Sequence, residues 1–194
     1  MKVIGITGNS GSGKTTASKI LEEKLSAYVI DADKVVKDMS QPGTEYFNAI
    51  KRVFGDNFFT DDGNINRKKL ADEIYNQKDS LHRLNDLTFK YVKEEIENQI
   101  SANKSENEYV VIDVPLLFEA GLDKSCDVVI AMVADDEKKI ERIMERDGID
   151  YATAKKRLDI QPDDDMYLEK ADFIIDNSND DELWQKLSEI LQMI

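Results

Sequence analysis

The stretch GITGNSGSGKTT, residues 5–16, carries Gly8, Gly13, Lys14 and Thr15 at the spacing G-x-x-x-x-G-K-[ST]. Glycines so placed let the main chain curl with its N–H groups turned inward, a nest for an anion. The helix that opens at Lys14 adds the partial positive charge of its N-terminus. Lys14 can reach the β- and γ-phosphates of a nucleotide, and the Thr15 hydroxyl can ligate Mg²⁺. Gly11, Ser12, Gly13, Lys14, Thr15 and Thr16 are therefore the candidate nucleotide-binding residues. The spacing predicts a bound phosphate chain without saying whether it is hydrolysed, held as a signal or transferred.

Other residues bear on that choice. A switch GTPase reads guanine with N-K-x-D after a strand, whereas NKSE at 103–106 ends in Glu and precedes one. Asp31 and Asp33 close the second Val/Ile-rich run, and a period of two predicts that both point to one side of a strand. There Asp33 could orient an acceptor hydroxyl or take its proton; alternatively it caps a helix beginning at Lys34. Asp113 ends VVID, an apolar run plus acid that suits a metal-supporting strand, or a structural hydrogen bond. Glu119 follows in PLLFEAG. Arg142 and Arg146, four apart in DEKKIERIMERDG, share the side opposite the Ile140, Ile143 and Met144 stripe. Two guanidiniums so stacked suit bidentate contact with phosphate oxygens, the alternative being a solvated face paired with Glu141 and Glu145. Arg157 extends the same basic cluster.

These residues need a scaffold that brings strand ends together. The runs 2–7, 28–33, 109–114, 127–133 and 172–176 are short, rich in Val and Ile, and do not alternate with polar residues, as strands covered on both faces should not. Helical patterns between them predict an α/β fold with a parallel sheet, whose carboxyl ends face the ligand crevice. A helix at 14–26 follows the loop, and a last helix carries Leu183, Leu187, Ile190 and Ile194 on one stripe. Some 75 residues separate the second and third runs, far more than a crossover needs. Helical patterns near 44–54, 66–76 and 79–102, with turns at QPG and TDDGN, read as an inserted helical lobe.

Composition narrows the partners. The 194 residues hold 26 Lys and Arg against 40 Asp and Glu, a net charge of −14, which disfavours nucleic acid and anionic membrane. A nucleotide site must then be a local positive island, within a Debye length of about 8–10 Å. No apolar run approaches the roughly 20 residues of a membrane span, and KVIGIT leads into the glycine loop without a leader pattern. One cysteine, Cys126, fits a reducing, cytoplasmic setting and an inert buried thiol. The expected state is a monomer or weak homo-oligomer.

Taken together, several stretches resemble the dephospho-CoA kinases across nearly the whole chain. They are GITGNSGSGKT at 5–15, VIDAD at 29–33, DDGNINRKKLADEIY at 61–75, VIDVPLLFEAGLD at 111–123, ERIMERDGI at 141–149, RLDIQ at 157–161 and ADFIIDNS at 171–178. The resemblance implies a P-loop kinase-type core (1–33 and 107–194), an acceptor-binding helical lobe (about 40–104) and a mobile arginine-bearing lid (about 136–161). It implies phosphorylation of the ribose 3′-hydroxyl of dephospho-CoA by ATP with Mg²⁺, yielding coenzyme A. By match, Asp33 would be the catalytic acid/base, Lys14 the phosphate lysine and Arg142 the transition-state arginine; Asn177 would lie near the ATP base. The family's His-Pro pair after LN is replaced by Phe89 and Lys90, and the single histidine, His82, falls earlier. The residues alone leave open another small-molecule kinase acting on a nucleoside or nucleotide, and a non-catalytic nucleotide sensor.

Overall fold

A computed structural model describes residues 1–179 and 182–194. Its backbone forms two compact units, one of Met1–Asp31 with Gln99–Ile194 and the other of Ala32–Asn98. In the first unit, β1 (Lys2–Thr7), β2 (Tyr28–Asp31), β3 (Tyr109–Asp113), β4 (Val128–Val133) and β5 (Phe173–Asp176) make one sheet in the order β2-β3-β1-β4-β5. Every pairing is parallel. The central strands are buried on both faces, which is why their sequences run apolar without alternation.

Helix α1 (Lys14–Leu25) and α9 (Leu183–Leu191) pack with the sheet through Ala17, Leu21, Leu183, Leu187 and Ile190 around Ile4, Ile6, Ile130 and Met132. Each fully buried aliphatic side chain contributes about 1.5–3 kcal/mol, so the stripe on α9 is enough to dock it. Gly5 in β1 has no room for a side chain: an added Cβ would lie 2.7 Å from Cys126 Sγ and 2.8 Å from Leu117 Cδ1.

Two strands begin one residue later than expected. Asp127 and Asp172 stand just outside β4 and β5, where their carboxylates accept from the backbone N–H of Val3 (2.7 Å) and Val129 (2.8 Å) on the neighbouring strand. The apolar pattern marked the strands, and the acids tie the start of each to its neighbour.

The second unit is helical. It holds α2 (Ala32–Met39), α3 (Glu45–Phe54), α4 (Arg67–Asn76) and the part of α5 (Lys78–Asn103) up to Asn98. Thr44 and Asn66 cap α3 and α4 by accepting from Phe47 N–H and Lys69 N–H. TDDGN folds into a tight turn in which Thr60 N–H donates to Asn64 O at 2.8 Å and Gly63 N–H to Thr60 O at 2.8 Å. Aromatic edges fasten the interior: Phe47 meets Phe59 at 5.0 Å, Tyr46 meets Tyr91 at 5.7 Å, and Tyr46 OH pairs with Thr88 Oγ1 at 2.8 Å. His82 is exposed on α5, and Phe89 is half-buried.

Candidate active site

Between β1 and α1 the chain curls as the glycine spacing requires. Gly8 and Gly13 have φ of 136° and 100°. A Cβ on Gly8 would meet the Met132 carbonyl at 2.2 Å, and one on Gly13 would meet Asn177 Nδ2 at 2.1 Å. Those two positions therefore demand glycine for both conformation and space. Gly13 is also the N-cap of α1 and offers no side-chain hydrogen bond, so the first-turn N–H groups keep their capacity for an anion. The Lys14 side chain is buried, and its Nζ donates to Asn9 O at 3.0 Å. Inside the curl Ser12 Oγ is buried with no partner among the described residues, as is Asn177 Oδ1 nearby. Buried polar atoms of this kind are rare in folded chains, and the Ser12 hydroxyl could donate to a bound phosphate oxygen, whereas Asn177 Oδ1 needs a donor. The loop thus fits a nucleotide.

The candidate metal position lies at its edge. Thr15 Oγ1 donates to Asp113 Oδ2 at 3.0 Å, and Asp113 is buried at the end of β3. Asp31, at the end of β2, is the register partner of Asp113. A hydroxyl and a carboxylate are hard oxygen donors suited to Mg²⁺. Among the described residues no cluster of three or more His, Cys, Asp or Glu could cage a metal.

Helix α6 (Asp136–Asp147) brings both arginines to this loop. Arg142 donates from NH1 to Gly11 O at 2.9 Å and from NH2 to Asn177 O at 2.7 Å. Arg146 NH2 donates to Ser10 Oγ at 3.2 Å, and its Nε donates to Asp147 Oδ1 at 2.7 Å. Arg157, on α7 (Tyr151–Asp159), also pairs with Asp147. The bonds from Arg146, with Arg157 beside it, hold the Asp147 carboxyl below its usual range. Arg142 thus reaches carbonyls of the phosphate loop and of Asn177, while Arg146, 59% exposed, reaches a loop hydroxyl and Asp147. Asn177 follows β5 and donates from Nδ2 to Ser12 O at 2.9 Å, which places its amide on the phosphate loop. Thr16 is exposed in the first turn of α1, and Glu119 is exposed.

Several residues that touch the loop carry no recognised motif. Asn9 is 4% exposed and fully engaged: Nδ2 donates to Pro162 O (2.8 Å) and Asp164 Oδ1 (2.9 Å), while Oδ1 accepts from Tyr167 OH (3.1 Å). Ser10 N–H donates to Gln161 Oε1 at 2.7 Å. Lys139, 3% exposed, is paired with Asp164 (2.9 Å) and Asp136 (2.8 Å). Burial opposes its charge, but the two carboxylates outweigh that and raise its pKa above the usual lysine value. Tyr167, on α8 (Asp165–Lys170), is pushed up to about 12, first by burial and then by Glu119 and Asp164.

The placement expected for Asp33 needs correction. β2 ends at Asp31 and α2 begins at Ala32, so Asp33 is not on a strand and shares no strand face with Asp31. It is not a cap of a helix starting at Lys34 either; it sits within the first turn of α2, where its charge complements the helix dipole. In the second unit Asp33 lines a cavity of about 520 Å³ with Val36, Lys37 and Arg67. Asp33 and Lys37 are one helical turn apart on α2.

Comparison with known proteins agrees with this geometry. The family model described as dephospho-CoA kinase matches residues 2–182. A dephospho-CoA kinase of Fusobacterium nucleatum is 36% identical over 200 residues, covering 99% of this chain and 98% of the relative. The solved dephospho-CoA kinase from Campylobacter jejuni superposes with a TM-score of 0.69 at 28% identity, covering 98% and 95% of the two chains. A shikimate kinase from Acinetobacter baumannii, at a TM-score of 0.56 and 16% identity over 100% of this chain and 92% of its own, shares the P-loop kinase fold. With a matching phosphate loop, sheet order and near full-length relatives, the chain belongs to the dephospho-CoA kinase family.

Proposed function

We propose that this enzyme transfers the γ-phosphoryl group of ATP to the ribose 3′-hydroxyl of dephospho-CoA, giving coenzyme A and ADP. The hydroxyl oxygen forms a bond to the γ-phosphorus as the bond from that phosphorus to the β–γ bridging oxygen breaks. The hydroxyl proton passes to Asp33, whose role rests on the match of VIDAD at 29–33 to the family pattern. Thr15, whose hydroxyl bonds to Asp113, would hold Mg²⁺, which would supply neutralising charge on the phosphates.

The observation that carries the reading is the engagement of the phosphate loop by Arg142 from α6, beside Lys14. Phosphoryl transfer is loose, so its charge lies on the equatorial oxygens, and fixed cations matter more than deprotonation of the nucleophile. Lys14 leaves Asn9 O and Arg142 turns from the Gly11 carbonyl toward the phosphates. Residues 136–161 act as the lid that carries Arg142 and Arg146, and the lobe of residues 40–104 receives the acceptor. The net charge of −14 supports a small-molecule acceptor over nucleic acid. No helix among the described residues is long and apolar enough to cross a membrane.

The test is direct. Incubation with ATP, Mg²⁺ and dephospho-CoA yields a product heavier by one phosphate whose new group is on the 3′ oxygen. A panel of nucleosides and nucleotides under the same conditions separates this acceptor from others. Turnover of a nucleoside in preference to dephospho-CoA overturns the reading.

A further inference from the structure

A buried polar chain connects the phosphate loop to α6 and to the segment that enters α8, and none of its members takes part in the chemistry above. Asn9 lies at its centre. Its side chain is held by three bonds, to Pro162 O, Asp164 Oδ1 and Tyr167 OH. Its own backbone carbonyl accepts from Lys14 Nζ, and it also accepts from Ser12 N–H at 3.2 Å. The peptide that orients the loop and parks the phosphate lysine is thus fixed by a side chain whose partners lie more than 150 residues away. The second carboxylate oxygen of Asp164 pairs with Lys139, and Lys139 is also bonded to Asp136 at the start of α6. A lysine 3% exposed is costly to bury unless its partners are well placed, and breaking one side leaves an uncompensated charge.

We propose that Lys139, Asp164 and Asn9 form a positioning relay that sets the phosphate loop for the β- and γ-phosphates of the nucleotide. It rests on the nucleotide-binding part of the function proposed above and is independent of which acceptor is used. Lys139 lies on the same helix as Arg142, three residues earlier, so the relay joins the loop at Asn9 to the helix that supplies the arginine at Gly11. Charged hydrogen bonds of this kind are each worth about 1.5–3 kcal/mol, which corresponds to about tenfold or more in affinity.

The measurement is binding of ATP and AMP in Mg²⁺ without acceptor, read by displacement of a fluorescent ATP analogue. Asp164→Ala and Asn9→Ala are expected to weaken ATP about tenfold while AMP shifts less than twofold, because the cradle for the outer phosphates is what loosens. Lys139→Met follows the same pattern, and Lys139→Arg restores ATP affinity. Asp164→Asn keeps the oxygen that accepts from Asn9 but loses the charge facing Lys139, so it falls between wild type and Asp164→Ala and serves if the alanine variant fails to fold. Ile143→Val, in the buried cluster of α6 with Ala154 and Leu158, is the control for plain loosening: it lowers Tm and leaves the ratio of ATP to AMP affinity unchanged. Equal weakening of ATP and AMP in the folded Asp164 variants, or no weakening of either, overturns the relay. Since no acceptor is present, failure to phosphorylate dephospho-CoA would count against the functional reading alone.

Discussion

Thr15 Oγ1 lies 3.0 Å from Asp113 Oδ2, joining the first turn of the phosphate-loop helix to the carboxyl end of β3. In the proposed metal role, the hydroxyl would touch Mg²⁺ and the carboxylate would orient the hydroxyl. Outer partners of metal ligands are typically worth about 10–100-fold in affinity or activity. Asp113→Ala is therefore expected to raise the Mg²⁺ concentration for half-maximal rate about tenfold or more. A Mg²⁺ titration of initial rates at saturating ATP checks it. An unchanged Mg²⁺ dependence would assign the carboxylate a purely structural role.

The roles proposed for Arg142 and Asp33 make different demands on the transition state. An arginine on the transferring phosphoryl is worth about 10³–10⁵ in rate, whereas a positioned base contributes about 10²–10⁴. Arg142→Ala and Lys14→Ala should then each lose at least as much kcat as Asp33→Asn. Single-turnover rates of the three variants give the order directly, and a far larger loss at Asp33 than at either cation reverses it.

The phosphate loop was legible because its chemistry is local: glycine spacing, the lysine and the threonine all fall within residues 8–15. The sheet was legible because unbroken Val/Ile runs have few uses other than a doubly covered strand. Asp33 was misplaced because β2 passes into α2 with no intervening loop, so a period of two was carried two residues too far. Asn9 and Asp164 could not be paired by inspection, since 155 residues separate them and the phosphate-loop pattern leaves the residue after Gly8 unspecified. Lys139 left little signal. It stands three residues before Arg142 and seven before Arg146, on the arginine side of α6, and its burial depends on Asp164, which is distant in sequence.

Lid closure should be visible to a protease. Asp147 and Gly148 end α6, with Gly148 at a left-handed φ of 64° and the Asp147 carboxylate bridging Arg146 and Arg157. If residues 136–161 close over the nucleotide, cleavage near Asp147–Gly148 slows when ATP and dephospho-CoA are both present, and slows less with either alone. The time course of limited proteolysis, with fragments identified by mass, reads this. Equal cutting under all conditions argues against closure.

Cys126 offers a check on the core that does not depend on nucleotide. Its thiol donates to Leu122 O at 3.3 Å and lies against Gly5 of β1. Burial, then the negative charges of Asp123, Asp127 and Asp172, push its pKa up to about 12. An unfolded cysteine titrates near 8.5, so at pH 8 the folded chain holds about a thousandfold less thiolate, the form that reacts. Labelling by a disulfide reagent at pH 8 should be slower by about that factor in the native protein than in the chain unfolded by guanidinium. The raised value also sets a direction for stability: folding favours the neutral thiol, so this contribution is complete below about pH 8.5 and is lost as pH rises from there toward 12. Chemical denaturation at pH 8 and pH 10 should show that loss in the wild type, and less of it in Cys126→Ala. Native labelling at the unfolded rate would mean that the segment from Leu117 to Cys126 opens freely over β1, and the close packing at Gly5 would then not hold in solution.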